Sequence, residues 1–374
     1  MHPPYDGLVR TGQSVGPPGL AGHRVTPFDP PGYGWPFSRV EPGPWAVSEE
    51  VGKLRPMLAL RADPWTPEYG LGFQARVDET PARADPFVET EDWARPVVPA
   101  PAEPGTLWFV DGVRRVELRL IADDEGGRRA PGLFGSFAVG AVRCDGRAAF
   151  AEHAVGRSVV VGGGLRADRV EVEVGGDRLA YEPATEPGTD PDVPLFGLQK
   201  SMQAAEAALA ARIAEGGEGL VLADGRLGFL DATRSPVVGV VKRFVRAYLD
   251  PEQDALLPRL SPGERTPLFG LVYEGQPLER YAWYTRLVTR RPAWHDHAGL
   301  VRCEVRAGVG LDGAMKLSDR VSAVLPGFAG RPADPRFPQN LAPVSALEGW
   351  LQHRMGHRGL IRRALTAWLT ERAA

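Results

Sequence analysis

The sequence predicts an α/β fold in which helices flank a mixed sheet. Residues 106–181 alternate short apolar, β-branched runs with polar, glycine-containing turns, which is typical of neighbouring antiparallel strands. Residues 197–215 are rich in Ala, Gln, Met and Leu, which predicts a helix. Apolar runs at residues 220–230 and 236–241 add two strands. A meander of strands followed by a helix and further strands indicates a mixed sheet.

The first 105 residues are predicted to form an irregular, proline-rich arm, separate from a domain at residues 106–374. They hold 19 of the 36 prolines, and proline fixes φ and lacks a backbone donor, which disfavours long helices and central strands. Their aromatic residues, Trp35, Trp45 and Trp65 among them, are too much apolar surface to remain in water. We expect the arm to pack on the main body or on a second subunit. Stacking of its rings on bases is the less favoured alternative.

The composition excludes several classes of protein. The 374 residues are 43% hydrophobic and 24% charged, as in globular proteins. No apolar stretch approaches the ~18 residues of a membrane span, and the first residues lack the apolar core of a signal peptide, so we expect a cytoplasmic protein with no membrane partner. Cys144 and Cys303 have no metal-ligand spacing. At a net charge of −3, a nucleic-acid-binding face must be a local patch.

Asp111 follows a short apolar run at residues 107–110 and precedes Gly112. An ionised carboxylate at the end of a buried strand is costly unless it is hydrogen-bonded or faces a cation, so Asp111 needs a partner. The alternative is that Asp111 and Gly112 form a hairpin turn.

A second copy of this pattern favours a shared site over two separate turns. Asp224 also follows an apolar run and precedes a glycine, Gly225. The helix at residues 197–215 carries Glu206 beside its apolar face, which would let a third carboxylate reach the strand ends. The alternative for Glu206 is an ordinary solvated position. The residues of the apolar face are Leu198, Met202, Ala205, Leu209 and Ile213.

Carboxylates from two neighbouring strands and a helix predict a site for divalent cations. Hard oxygen ligands favour Mg²⁺ or Mn²⁺ over zinc. Two such ions about 3.5–4 Å apart can clamp the attacking and leaving oxygens of a phosphodiester. The sequence contains no nucleophile elbow, no Walker A loop and no dinucleotide-binding glycine motif after a strand, so these chemistries are not supported.

Two further segments have alternative interpretations. Residues 280–294 interleave arginines with aromatic rings, which suits a strand of nucleic acid, but a half-buried strand with solvated arginines fits equally well. Ser345 and Glu348 have the spacing of a capping box at a helix start. Glu348 would then satisfy backbone donors, whereas its functional interpretation is that it completes the acidic cluster.

The order of several motifs resembles the NurA family of DNA-end-processing nucleases, whose RNase H-like core is related to that of Piwi proteins. These motifs run from about residue 107 to about residue 363. In chain order they are VDGVRR, the helix with Glu206, LADGRL, VVGVVKR, LVRCEV and FPQNLAPVSALE. The resemblance implies metal-binding roles for Asp111, Glu206 and Asp224, and matches Lys242 to a family lysine where a cation could neutralise charge on the phosphate. It also implies Mn²⁺-dependent cleavage of DNA, homodimerisation and partnership with a HerA-type hexameric ATPase.

This sequence departs from the family pattern at three positions. Val113 and Arg226 stand where the family usually has the serine of a DGS motif. Glu348 stands where the late motif commonly ends in a metal-assisting histidine, and Asp319 is the competing candidate for that role.

The leading hypothesis is therefore a deoxyribonuclease that uses Mn²⁺ or Mg²⁺, with two ions expected. Asp111, Glu206, Asp224 and Glu348 would be the metal ligands, and Lys242 would assist them. The alternative is a non-catalytic subunit that serves as a platform for DNA binding or ATPase docking. The replacement of the two serines favours this alternative, whereas the retention of the three core acids argues against it.

Overall fold

A computed structural model of the chain describes residues 58–62, 82–230, 236–243, 247–273 and 275–373. The strands of this part are β1 (Ala59–Ala62), β2 (Ala82–Asp85), β3 (Leu107–Asp123), β4 (Arg129–Asp145), β5 (Arg147–Val161), β6 (Val170–Val174), β7 (Asp177–Thr185), β8 (Leu220–Asp224), β9 (Val237–Val241), β10 (Phe269–Tyr273), β11 (Leu278–Arg286) and β12 (Leu300–Arg306). The helices are α1 (Val193–Glu215), α2 (Pro251–Asp254), α3 (Leu311–Val324), α4 (Ala342–Arg354) and α5 (Arg358–Ala373). The predicted mixed α/β class is confirmed.

The strands form one mixed sheet in the order β2-β10-β11-β12-β9-β8-β3-β4-β5-β7-β6, with β1 paired to β3. At its centre, β3, β4 and β5 form an antiparallel meander. The chain then crosses through α1 and returns as β8, parallel to β3, and β9 adds in parallel to β8. The strands β12, β11, β10 and β2 extend the sheet with antiparallel pairs.

The strand β3 continues through Asp111 and Gly112, so the hairpin-turn alternative is wrong. In β3, Asp111 pairs with Gly140 and Gly112 with Val139 of β4. Apolar side chains continue after Gly112, and a chain with a buried apolar pattern on both sides of a DG pair gains more by staying in the sheet than by turning. Asp111 therefore lies within a long strand and not at its end.

The helix α1 covers one face of the sheet, and α3 and α4 cover the other. All five apolar positions predicted for the inward face of α1 are buried. The helix begins at Val193, four residues before the predicted start, because Pro194 fits the first turn of a helix. On β3, Val110 packs in the cluster that contains α1, whereas Phe109 packs with Leu347 of α4. Successive residues of β3 thus serve opposite faces.

The described part of the predicted arm contributes to this fold. The strand β2 pairs with β10 at the sheet edge. Glu89 accepts two hydrogen bonds from the guanidinium of Arg265, at 2.8 and 2.9 Å, and Trp93 is buried. The remainder of the predicted arm, residues 1–57 and 63–81, lies outside the described residues, and the division at residue 105 stays a prediction. Among the helices that the structure describes, none combines the length and apolar character needed to span a membrane.

Both interpretations of the basic and aromatic segment at residues 280–294 are wrong for its first half. In β11, Trp283 is fully buried, and the arginines at both ends of this half, Arg280 and Arg286, are buried too. Arg280 donates a hydrogen bond to Glu304 at 2.8 Å, and Arg286 donates to the carbonyl of Leu257 at 2.9 Å. These arginines therefore form hydrogen bonds in the interior of the protein and do not form a nucleic-acid-binding surface.

Candidate metal centre

The parallel pairing of β3 and β8 brings Asp111 and Asp224 to the same place in the sheet. Val110 lies opposite Ala223, and the two aspartates are the next residue on each strand. The strand β8 ends at Asp224, whereas β3 continues. Asp111 is only 6% exposed, while Asp224 keeps some contact with solvent.

The helix α4 adds a third carboxylate, Glu348. Carboxylate oxygens of Asp111, Asp224 and Glu348 lie within 4.8 Å of one another. Atom Oδ2 of Asp111 is buried and has no hydrogen-bond partner in the part of the chain that the structure describes. A buried carboxylate oxygen is costly without a partner, and three convergent oxygen donors match the preference of hard divalent cations. The residues present therefore fit such an ion.

Glu206 reaches this centre from α1, on the opposite face of the sheet. A Cβ atom on Gly112 would lie 2.9 Å from Glu206 Oε1, so the missing side chain of Gly112 makes room for the carboxylate. Asp111, Glu206 and Asp224 line one cavity of about 250 Å³. Glu206 borders the group of three carboxylates but is not part of it.

Two of these acids, Asp111 and Glu206, have raised pKa values. Burial raises the pKa of Asp111 well above its usual value, and the charges of Asp224 and Glu206 raise it further, whereas Lys242 lowers it. Burial, followed by the charge of Asp224, raises the pKa of Glu206 to about 8. When carboxylates lie this close together, ionising all of them without a cation costs free energy. A bound divalent ion would remove that cost.

Lys242 directly follows the strand β9, and its side chain lies beside the acids. Its Nζ atom is 2.8 Å from Asp224 Oδ1 and donates a hydrogen bond to Asn340 Oδ1 at 2.7 Å. Asn340 is almost fully buried and in turn donates to Asp334 at 3.1 Å. Asn340 was not predicted from the sequence because no local pattern marks it; its partner is 98 residues away.

Glu348 is not part of a capping box, and that interpretation is wrong. The helix α4 begins at Ala342, with Leu341 as its N-cap residue, because Pro343 fits the first turn. Ser345 therefore lies inside the helix, where its hydroxyl donates to Asp334 at 2.5 Å.

Arg336 is the partner of Glu348, to which it donates a hydrogen bond from Nη1 at 2.6 Å. Asp319, the competing candidate, lies on α3 and accepts a hydrogen bond from Arg265 Nε at 2.7 Å. The structure thus brings Glu348, and not Asp319, beside Asp111 and Asp224.

The loop after Asp224 is held in place by β12. The backbone N–H of Leu227 donates to Glu304 Oε1 at 2.8 Å, and Arg306 donates to the carbonyl of Leu227 at 2.7 Å. Glu304 is fully buried. Gly239 of β9 permits the close approach of this loop, because a Cβ there would lie 2.7 Å from the carbonyl oxygen of Gly225.

Together, the fold and this centre define a mixed α/β protein with a carboxylate cluster suited to a divalent cation. No family model matches the chain, and no curated protein matches it. A solved structure of Endonuclease V from Ciona intestinalis, in complex with a 24mer DNA containing an inosine followed by a ribo-adenosine, is similar at a TM-score of 0.29 and 11% identity, covering 67% of this chain and 86% of that chain. A variant of that protein with a 23mer DNA gives a TM-score of 0.28 and 12% identity, covering 66% and 85%. At these values neither structure assigns an activity to this chain.

Proposed function

We propose that this protein is a metal-dependent deoxyribonuclease. The observation that carries the proposal is the convergence of Asp111, Asp224 and Glu348 within 4.8 Å, with a buried oxygen of Asp111 that lacks a partner among the described residues. Sites built from carboxylate oxygens on separate elements suit phosphodiester hydrolysis, because that reaction needs neutralisation of charge and not a protein nucleophile.

The position of each residue determines its role in this proposal. Asp111, Asp224 and Glu348 would hold the cation, and Glu206 would complete its surroundings from α1. When bound there, a divalent cation polarises the phosphodiester and makes a water more acidic. Lys242 holds the carboxylate of Asp224 in place through its contact at 2.8 Å. Its positive charge also favours the approach of a phosphate group.

The test is cleavage of linear single- and double-stranded DNA with Mn²⁺, Mg²⁺ or a chelator. We expect D111N and D224N each to lower the rate by roughly 100-fold or more, since removing one electrostatic group at a reacting centre has effects of that size. The matched control is D168N, which neutralises an exposed aspartate outside the centre. Folding is checked by circular dichroism. Metal-dependent cleavage that is unchanged in both centre variants would refute the proposal.

On the resemblance in motif order, we further propose that the ion is Mn²⁺, with two ions bound. We propose likewise that the chain works as a homodimer with a HerA-type hexameric ATPase. Light scattering after size exclusion tests the dimer, and co-expression with such an ATPase followed by affinity purification tests the partnership. Monomeric protein that does not retain the ATPase would contradict this finer assignment without affecting the nuclease activity itself.

The second candidate is a non-catalytic subunit that binds DNA or docks an ATPase. Two observations favour it: Val113 and Arg226 replace the serines of the family motif, and Glu348 is engaged by Arg336 at 2.6 Å. Folded protein that binds DNA but cleaves none with any divalent cation would support this candidate over the first.

A further inference from the structure

A cavity of about 250 Å³ adjoins the acidic centre, between α1 and the loop after β8. Besides the acids, its walls include amide side chains from α1, Gln199 and Gln203, and apolar side chains, Met202, Leu227 and Phe229. A cavity with apolar walls and a few polar groups is the usual form of a site for a small organic group. This one opens beside the carboxylates that would bind the cation.

Phe229 is the feature of this cavity that the nuclease centre does not explain. Its side chain is 48% exposed, which is costly for an aromatic residue without a partner. The loop that carries it is nevertheless anchored on both sides of Phe229, because the N–H of Leu227 donates to Glu304 and Arg306 donates to the carbonyls of Leu227 and Leu230. An exposed ring on an anchored loop is a preformed stacking surface.

The cavity also contains an amide with unused hydrogen-bonding capacity. The side chain of Gln203 makes no hydrogen bond within the part of the chain that the structure describes, whereas the side chain of Gln199 accepts one from Arg114. A glutamine amide offers both donors and an acceptor, so it can meet the edge of different bases.

We propose that this cavity receives one unpaired nucleotide of the substrate strand, with its base stacked on Phe229 and its edge toward Gln203. This inference rests on the proposed nuclease function and names its substrate class. The volume lies below the roughly 300–1,000 Å³ of pockets for drug-sized ligands, so it has room for one base but not for a base pair. A base inside a duplex must leave its partner to enter such a pocket, so single strands and frayed ends are the preferred substrates.

The experiment measures binding in a chelator, where a metal-dependent nuclease does not cleave. Fluorescence anisotropy compares a single-stranded oligonucleotide with a blunt duplex of the same length. Loss of base–aromatic stacking weakens binding by about 5- to 150-fold. We therefore expect F229L to weaken single-strand binding by a factor in this range, and F229W, which keeps a ring, to bind as the wild type does.

The matched control is F87L, because Phe87 is 53% exposed and lies next to β2 at the far edge of the sheet. We expect F87L to leave both affinities unchanged. A second measurement locates the contact: photocrosslinking of a 5-iodouracil oligonucleotide should label the peptide that contains Phe229 in the wild type, and this label should be lost in F229L.

Two results would overturn the inference: single-strand binding by F229L equal to that of the wild type, or crosslinks only outside the Phe229 peptide. Cleavage by the wild type on the same oligonucleotides is measured separately with Mn²⁺. Cleavage without a role for Phe229 refutes the cavity assignment alone. Binding that depends on Phe229, without cleavage under any condition, refutes the nuclease proposal and leaves a nucleotide-binding cavity.

Discussion

At the scale of single residues, Gly112 and Glu206 determine how closely α1 can approach the acidic centre. A side chain on Gly112 would meet both the carboxylate of Glu206 and the Cγ atom of Met202, at 2.9 and 3.0 Å. The absence of that side chain lets a carboxylate from one face of the sheet come close to Asp111 on the other. Burial and mutual repulsion make ionisation of these acids unfavourable. A bound cation offsets this free energy, so the arrangement favours cation binding.

We predict that G112A lowers the affinity for Mn²⁺ by about 10- to 100-fold, the range found when groups that orient metal ligands are changed. The added Cβ would push the Glu206 carboxylate away, and β3 can keep its backbone because Gly112 does not have a positive φ. Calorimetric titration with Mn²⁺ measures the effect. The control is G228A, where an added Cβ meets nothing within 4 Å. Equal affinities for the two variants would contradict the prediction.

We predict that the metal-free protein loses stability as the pH rises toward 8, partly through Glu206. Its pKa is about 8 in the folded protein and about 4.3 in an unfolded chain, so the folded state holds more protons between these values. The free energy of unfolding therefore falls as the pH rises through that window. E206Q cannot titrate, so it should show a shallower fall and exceed the wild type in stability at pH 8.

Urea denaturation in a chelator at pH 5, 6.5 and 8 measures this difference. E215Q is the control, because Glu215 is exposed at the end of the same helix. It should retain the wild-type dependence on pH. A slope for E206Q that matches the wild type would show that Glu206 is ionised in the folded protein throughout the window.

At the scale of elements, β12 supports the loop that follows Asp224. Glu304 receives the backbone N–H of Leu227 and the guanidinium of Arg280, both at 2.8 Å, and Arg306 binds the carbonyl of Leu227. Charged side chains in the centre of a sheet are tolerated only when they are paired and hydrogen-bonded. The network connects a central strand to a loop of the candidate site, so it both occupies the core and positions that loop.

We predict that E304A destabilises the protein by about 3–5 kcal/mol, because it leaves Arg280 buried without this carboxylate. Urea denaturation measures the change. The control is D296A, which breaks the pair of Asp296 with Arg290, in which both side chains are largely solvated. Exposed pairs contribute about 0–1 kcal/mol, so D296A should stay in that range. A similar, small effect of both substitutions would mean that the buried network adds little to stability.

At the scale of the whole molecule, residues from distant parts of the described chain complete one sheet and one centre. The strand β2 forms an edge pair with β10, and Glu89 neutralises Arg265 in the interior. At the other end of the chain, α4 brings Glu348 to the aspartates. Both additions join the central part of the sheet, which β3, β4, β5, β8 and β9 form.

We predict that a chain beginning at Thr106 is less stable than the full chain. It lacks β2 and Trp93, and it leaves Arg265 with Asp319 but without Glu89. Thermal unfolding of both proteins tests this expectation. W93A in the full chain isolates one contribution, since truncating a buried tryptophan costs about 3–5 kcal/mol. Identical unfolding of all three proteins would support a boundary at residue 105.

Much of the fold follows from patterns that are local in the sequence. Residue alternation marks the strands, and the spacing of apolar residues marks the buried face of α1, because each depends on the geometry of one element. The positions of Asp224 at a strand end and of Glu206 beside the buried helix face follow in the same way. Two expectations were wrong where a local signal fits more than one structure: Asp111 lies within β3 and not at a strand end, and α4 begins before Ser345.

The sequence by itself determined which elements form and which acids they carry. Only the tertiary structure decided that Glu348 joins Asp111 and Asp224, that Lys242 contacts Asp224, and that the arginines of β11 are internal. The physical reason is that these outcomes depend on partners far away along the chain. Local propensity does not encode such pairing, which is fixed when sheet register and helix placement are optimised together.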